Sequence, residues 1–159
     1  MTEKAILSDF EQRALIPVNI LQVSQDAAQL DSLERILNRT KWTLHQAGTV
    51  EEAEWLLARH AISVIIWDSE LFACDSGRLL SASGRTITAP RSIVSASTED
   101  RAVWAGALEL GVSDVVGLPL DAGEICGVVS KTHLSWLSGL LRTTAALRDY
   151  DGVSIAHGD

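Results

Sequence analysis

Apolar runs of strand length alternate with segments of helical periodicity along most of the 159 residues. The runs are rich in β-branched residues, which favour the pleated surface of a sheet. Because parallel strands need helical crossovers between them, this alternation predicts an α/β fold with helices on both faces of one parallel sheet. The five predicted strands are 18–23, 43–47, 62–68, 91–96 and 113–118.

Helical patterns fill the intervals between these strands. The first helix has an apolar stripe made of Leu30, Leu33, Ile36 and Leu37. Thr49 and Glu52 match a capping box at the start of the second helix. A third helix is weakly signalled near 77–82, whereas 98–110 predicts a clear fourth helix that ends at Gly111.

The fifth predicted helix is unusually long. The pattern over 121–148 predicts about 28 helical residues, which extend roughly 40 Å and project past a small domain. Two alternatives stay open, a continuous rod and a pair of helices broken near Gly139, because glycine costs only ~1 kcal/mol in a helix. The predicted organisation is an N-terminal extension with a short helix at 1–16, one domain at 17–135, a helical extension at 136–148 and a flexible tail at 149–159.

Composition and charge argue against several classes of function. The net charge of -8 provides no basic surface for nucleic acid, and no apolar stretch approaches the roughly 20 residues of a membrane helix. The N-terminal residues lack the pattern of a secretory signal, which predicts a cytoplasmic protein in which Cys74 and Cys126 are free thiols. Neither dinucleotide nor P-loop motifs occur, and the histidines lack metal-site spacing, so no enzymatic activity and no cofactor are expected.

Polar residues follow the predicted strands at the edge where α/β folds gather their ligands. In chain order they are Ser24, Gln25 and Asp26, then Asp68 and Glu70, then Ser95 with Ala96, and finally Leu118 with Pro119. This ordered set, together with "GVSDVVGLP" at 111–119, resembles the receiver domain of bacterial response regulators. The resemblance runs from Val18 into the fifth helix and implies a CheY-like, flavodoxin-like sheet of five parallel strands in the order 2-1-3-4-5.

The resemblance also implies roles for the strand-end residues. Asp68 stands at the position of the phosphoacceptor, and Ser95 stands at the position of the switch hydroxyl. The other positions differ from the family. Ser24 and Gln25 replace the acidic pair that holds magnesium, with Asp26 at the second position of the pair or just past it. Leu118 replaces the lysine, and Val115 replaces the switching aromatic residue.

These replacements predict a receiver-like domain that has lost its phosphorylation switch, a pseudo-receiver. A hydroxyl and an amide bind magnesium far more weakly than carboxylates do. Without the metal or the ammonium group, the charge of about -2 on an aspartyl phosphate is not balanced. Structural explanations remain beside the functional ones: Asp68 as a cap for the next loop, Glu70 as a solvated residue and Ser95 as a partner of the backbone.

Three functions are carried forward. The first is a signalling module that works without phosphorylation and pairs with itself or with a partner through the fourth helix, the fifth strand and the fifth helix. A homodimer is the default, with Trp104, Trp136, Leu137 and Leu140 as interface candidates. Trp55 and Trp67 are expected in the core. The second is a working phosphoacceptor served by a histidine kinase or linked to another regulator, with Mg²⁺ held by Asp26, Asp68 and Glu70. The third is a small-ligand sensor with a cavity of reduced polarity lined by Ser24, Gln25, Ser95 and Leu118.

Overall fold

A computed structural model describes residues 17–74 and 89–156, with side chains as far as Arg142. The predicted helices at 1–16 and 77–82 lie outside these residues. Every predicted strand is present, with its ends within two residues of the predicted bounds. In chain order the elements are β1 (Asn19–Val23), α1 (Ala27–Leu37), β2 (Thr43–Ala47), α2 (Val50–Arg59), β3 (Val64–Asp68), α3 (described over 69–74), β4 (Arg91–Ser97), α4 (Arg101–Glu109), β5 (Asp114–Leu118) and α5 (Ala122–Ala156).

The five strands form one parallel sheet in the order β2-β1-β3-β4-β5, which confirms the predicted topology. The register brings the carboxyl ends of the strands to a common edge. Val23 of β1 lies opposite Trp67 of β3, and Asp68 lies opposite Ser95 of β4. The polar residues that follow the strands are therefore neighbours in space.

Apolar side chains leave the sheet on both faces, because successive residues of a strand point to opposite sides. On one face, Leu21, Ile65 and Trp67 pack with residues of α2, α3 and α4. On the other face, Val64 and Ile66 pack with residues of α1 and α5. Helices therefore cover both faces, as the sequence predicts.

The two tryptophans that were expected in the core behave differently. Trp67 is completely buried, which confirms the prediction for that residue. The prediction for Trp55 is wrong, because its side chain is 54% exposed. Val50 and Ala53 define the buried side of α2, and Trp55 lies on the other side of the helix.

Side-chain caps fix the helix ends near the predicted positions. Thr49 accepts a hydrogen bond from the backbone N–H of Glu52 at 3.2 Å, and Glu52 accepts one in turn from the N–H of Gly48 at 3.1 Å. α4 ends at Glu109 with Leu110 as its C-cap, and the next residue, Gly111, has a φ of 92° in the left-handed region that glycine tolerates best. The predicted stop is present, and so is the bond that Thr49 makes in the predicted capping box. The reciprocal bond of Glu52 goes to Gly48, the residue before the N-cap, and not to Thr49.

The last helix, α5, is continuous over 35 residues and has no break at Gly139. It also passes Arg148, where the sequence pattern predicted its end and the start of a tail. Trp136 and Leu137, two of the predicted interface residues, are each only 7% exposed. They belong to the buried side of α5, and Leu140 is half-buried. Among the described residues, no helix is both long enough and apolar enough to cross a lipid bilayer.

Candidate functional site

The candidate site lies at the carboxyl ends of the parallel strands. Asp68 closes β3, and its side chain is only 6% exposed. Its Oδ1 accepts a hydrogen bond from the backbone N–H of Glu70 at 3.1 Å, and its Oδ2 accepts one from the hydroxyl of Ser24 at 3.1 Å. Both carboxylate oxygens are therefore engaged within the protein. The bond to Glu70 is the capping interaction expected of an aspartate that closes a strand.

Ser24, immediately after β1, is completely buried. Its backbone N–H donates to the carbonyl oxygen of Ala47 at 3.0 Å, and its Oγ accepts from the N–H of Asp26 at 3.1 Å. These contacts hold the hydroxyl where it donates to Asp68. At a position where the resemblance calls for a carboxylate, this chain supplies a hydrogen-bond donor.

Gln25 and Asp26 are exposed at the same strand end. Asp26 is the N-cap of α1, and its Oδ1 accepts from the N–H of Ala28 at 2.9 Å. A carboxylate in this position satisfies a donor at the start of the helix and interacts favourably with the helix dipole. The local structure of α1 thus accounts for Asp26 without a metal ion.

Gln29 joins the site and was missed in the sequence. The Oγ of Ser95 lies 3.1 Å from both the Oε1 of Gln29 and the carbonyl oxygen of Trp67, either of which can accept its hydrogen. The Nε2 of Gln29 donates to Asp26 at 3.4 Å. Gln29 therefore connects the end of β1 to the end of β4. Its place three residues after the N-cap, in the first turn of a helix that starts at a strand end, was the available signal.

The positions of the lysine and the switching aromatic residue are both apolar. Leu118 closes β5 and lines the cavity described below. Val115 is 4% exposed and packs in the core formed with α2, α3 and α4. Neither side chain carries a group that can contact a phosphate.

The loop between β4 and α4 is held by two contacts. The indole N–H of Trp104 donates to the carbonyl oxygen of Ser97 at 2.9 Å, while its partly buried ring packs against the core. Thr98 approaches Gly117 so closely that a Cβ on Gly117 would lie 2.8 Å from the Thr98 Cγ2. Trp104 therefore connects α4 to the end of β4 and is not the fully exposed residue that the interface prediction requires.

These elements surround a cavity of about 540 Å³. Of the predicted lining residues, Gln25 and Leu118 do line it, whereas Ser24 and Ser95 are buried, with exposures of 0% and 2%. The expected reduction in polarity is not found, because the described lining contains four carboxylates and neither lysine nor arginine. The four carboxylates belong to Asp26, Asp68, Glu70 and Asp100.

The donor set does not fit a magnesium ion. Among the side chains described, those of 17–74 and 89–142, no three of His, Cys, Asp or Glu lie close enough together to hold a metal. The suggested ligands Asp26, Asp68 and Glu70 line the same cavity without converging on one point. Asp26 and Asp68 accept hydrogen bonds from the protein instead.

A separate pair of histidines lies away from the cavity. The ring of His45, on β2, stacks on that of His60 with 4.1 Å between the ring centroids. Burial lowers the pKa of His45 below its usual value, and a positive charge on His60 lowers it further. His45 therefore contributes to the pH dependence of stability.

Comparison of the sequence with protein-family models finds no match, and comparison with curated proteins finds none either. Solved structures do match. A signal receiver domain of an HD domain-containing protein from Pseudomonas fluorescens is 23% identical, with a TM-score of 0.66, over 77% of this chain and 98% of that one. An N-terminal signal receiver domain of a two-component response regulator from Bacteroides fragilis is 13% identical, with a TM-score of 0.64, over 74% and 97%.

A third neighbour is described as an adenylate cyclase from Rhodopirellula baltica. It is 18% identical, with a TM-score of 0.62, and the match covers 84% of this chain and 98% of that one. At these identities the likeness concerns the fold. The chain has the CheY-like receiver fold. This fold places Asp68, Ser24, Ser95 and Leu118 together at the carboxyl ends of the strands, as the sequence predicts.

Proposed function

We propose that this receiver-like domain acts in signal transduction as a protein-interaction module that works without phosphorylation. The buried hydrogen bond from Ser24 to Asp68 is the observation that carries the proposal. It satisfies the carboxylate at the phosphoacceptor position from within the protein, with no metal ion. The signalling context is taken by analogy from the neighbours of the same fold.

Electrostatics at the strand ends supports this proposal. A phosphoryl group on Asp68 adds a charge of about -2. Apart from Asp68 itself, the charged side chains in the described lining of the cavity are all carboxylates, those of Asp26, Glu70 and Asp100. Two unit charges ~4 Å apart repel by about 4 kcal/mol at an effective dielectric constant near 20. Phosphoryl transfer depends on stabilising the charge of the transferring group, and the described lining contains no cation to do so.

The partner surface that we propose flanks β5, which is one edge of the sheet. Leu108 and Leu110 at the end of α4 are 53% and 63% exposed, and Leu134 of α5 is 53% exposed. Large apolar side chains grouped around a sheet edge favour association. A two-fold symmetric homodimer is the simplest closed assembly. These leucines take the place of Trp136 and Leu137, which are buried within the chain.

Mass spectrometry of the intact protein tests the loss of the switch. The chain is incubated with acetyl phosphate and Mg²⁺ beside a phosphorylatable receiver domain as the positive control. We expect no phosphoryl adduct, because the site lacks both the metal ligands and the lysine. An adduct that disappears in Asp68→Asn would contradict the proposal and establish the alternative, a phosphoacceptor in a two-component relay.

Light scattering coupled to size-exclusion chromatography tests the interface. We expect a mass twice the 17.1 kDa of one chain. The double variant Leu108→Glu, Leu134→Glu is expected to be monomeric, since it places carboxylates on the apolar surface. Trp55→Glu is the matched control, because Trp55 is equally exposed but lies on α2. A wild-type protein that remains monomeric at high concentration would contradict dimerisation.

The cavity of about 540 Å³ favours a second candidate function, the sensing of a small ligand. This volume lies within the range that small-molecule sites occupy. A thermal-shift screen of small metabolites tests it. A rise in Tm that is lost in Leu118→Trp, which places a larger side chain in the cavity, would support sensing. A screen without any such rise would contradict it.

We further propose that the chain is not an enzyme. The neighbour from Rhodopirellula baltica that is described as an adenylate cyclase has low identity, and a shared fold does not transfer an activity. Incubation with ATP and Mg²⁺, followed by chromatography of the nucleotides, is expected to return ATP unchanged. Formation of cyclic AMP would overturn this part of the proposal.

A further inference from the structure

Within 17–74 and 89–156, β2 is the second edge strand of the sheet, and one of its sides pairs with no described strand. β2 has one strand neighbour, β1, and lies at the end of the strand order. The N–H of Thr43 donates to Val18, and the carbonyl oxygen of Ala47 accepts from Ser24, so both groups point toward β1. Because the direction alternates along a strand, the backbone groups of Leu44 and Gln46 point outward. They are available to another strand.

A groove runs along this edge. It has a volume of about 450 Å³ and lies between Gln46 of β2 and residues Glu51, Glu52, Trp55 and Leu56 of α2. Trp55 is 54% exposed, although it is the largest of these side chains. An exposed ring beside unpaired backbone groups is the combination with which proteins bind extended segments: the backbone supplies affinity and the groove supplies selectivity.

The charge of the groove limits what can occupy it. Two of its five lining residues are glutamates, and neither lysine nor arginine is among them. The guanidinium of Arg59 lies 3.8 Å from the centre of the Trp55 ring, as a neighbour of the groove. A second copy of this chain fits poorly, because it would bring a net charge of -8 to the same glutamates. A segment with basic side chains fits well.

We propose that the groove between β2 and α2 binds an extended, basic segment of a partner protein, which adds to the sheet beside β2. Its backbone pairs with the outward groups of Leu44 and Gln46. One apolar side chain packs on Trp55 and Leu56, and a lysine or arginine lies near Glu51 and Glu52. This surface is at the opposite edge of the sheet from β5, so the inference does not depend on the proposed homodimer.

A displayed library of random dodecapeptides, selected on the full chain, supplies the probe. The most enriched peptide is then synthesised and titrated against the wild-type protein and its variants. We expect enrichment of sequences that alternate apolar and basic residues, since alternate side chains of a strand face the groove. Trp55→Ala is expected to raise Kd at least ~tenfold, as loss of an aromatic anchor does. Trp55→Phe is expected to retain most of the affinity.

Two further measurements separate the parts of the site. Glu51→Gln with Glu52→Gln is expected to raise Kd about threefold to tenfold at low salt and less at high salt, because screening weakens the charge contribution. Glu109→Gln, which neutralises an exposed carboxylate on α4, is the matched control and is expected to leave Kd unchanged. In nuclear magnetic resonance spectra, the amides of Leu44 and Gln46 are expected to shift more than those of Thr43 and His45.

Three results would overturn the proposal. One is a library with no peptide enriched over a control protein. Another is binding that Trp55→Ala leaves unchanged. The third is self-association of the wild-type chain that Trp55→Ala abolishes, which would assign the groove to a second copy.

Discussion

The middle of β3 and its carboxyl end are adjacent in sequence but differ in how their side chains are stabilised. Val64 to Trp67 are each at most 1% exposed, and their one side-chain hydrogen bond among the described contacts runs from the indole N–H of Trp67 to Ser92 at 3.3 Å. Asp68, one residue further, is 6% exposed, and both of its carboxylate oxygens accept hydrogen bonds, from Ser24 and from the backbone of Glu70. The buried middle of the strand maintains the fold, whereas the residues at the strand end can be replaced by others with different chemistry without changing that fold.

The largest effect is expected in the middle of the strand. Trp67→Ala removes a completely buried ring and is expected to lower the free energy of unfolding by about 3–5 kcal/mol, through lost burial and a cavity. Urea unfolding followed by circular dichroism measures it. Trp55→Ala, at an exposed position, is expected to change stability by no more than ~0.5 kcal/mol. Equal losses at both positions would erase the distinction between a buried and an exposed tryptophan.

An intermediate effect is expected at the strand end. Ser24→Ala removes the hydroxyl that donates to Asp68, and the buried carboxylate then lacks one partner. The expected loss is about 1–3 kcal/mol in the free energy of unfolding, the usual range for an unsatisfied buried polar group. A double-mutant cycle with Asp68→Asn isolates the pair. If the two substitutions are additive, the hydrogen bond from Ser24 does not contribute to stability.

The smallest effect concerns His45, far from both regions. Because its pKa is lowered in the folded chain, protonation favours the unfolded state. The contribution of His45 is fully present above its unfolded pKa, near ~6.5, and is lost as the pH falls through the lower, folded pKa. Urea unfolding between pH 8 and pH 5 measures this slope, and His45→Gln is expected to reduce it. If the free energy of unfolding of the variant has the same pH dependence as that of the wild type, His45 does not contribute to it.

Helical spacing in the sequence distinguishes the buried from the exposed residues at the positions where the predictions were wrong. Trp136 comes eleven residues after Ile125, or about three helical turns, so the two residues share the buried side of α5. Leu134 comes nine residues after Ile125, about two and a half turns, and therefore lies on the exposed side. Trp55 is displaced in the same way from Val50 and Ala53 on α2. In each case residue type was given more weight than helical position.

The site was less predictable than the fold. The strands could be found because buried parallel strands form short apolar runs, and the order of strand-end residues carried the resemblance. The contacts made by Ser24 and Gln29 could not be read in this way. Each is a long-range hydrogen bond, from Ser24 to Asp68 and between Gln29 and Ser95, and its formation depends on side-chain directions at strand ends and helix starts.

The unbroken length of α5 makes it a stiff lever. Its 35 residues extend about 52 Å at 1.5 Å per residue. The first turn of α5 is attached to the end of β5 through the hydrogen bond from the Gly117 N–H to Glu124 at 3.0 Å. Because buried residues as far as Leu137 hold α5 against the rest of the protein, a bend of about 5° there would displace Ala156, roughly 28 Å further along at 1.5 Å per residue, by about 2–3 Å. A small change of packing near Leu137 would therefore cause its largest displacement at the far end of the helix.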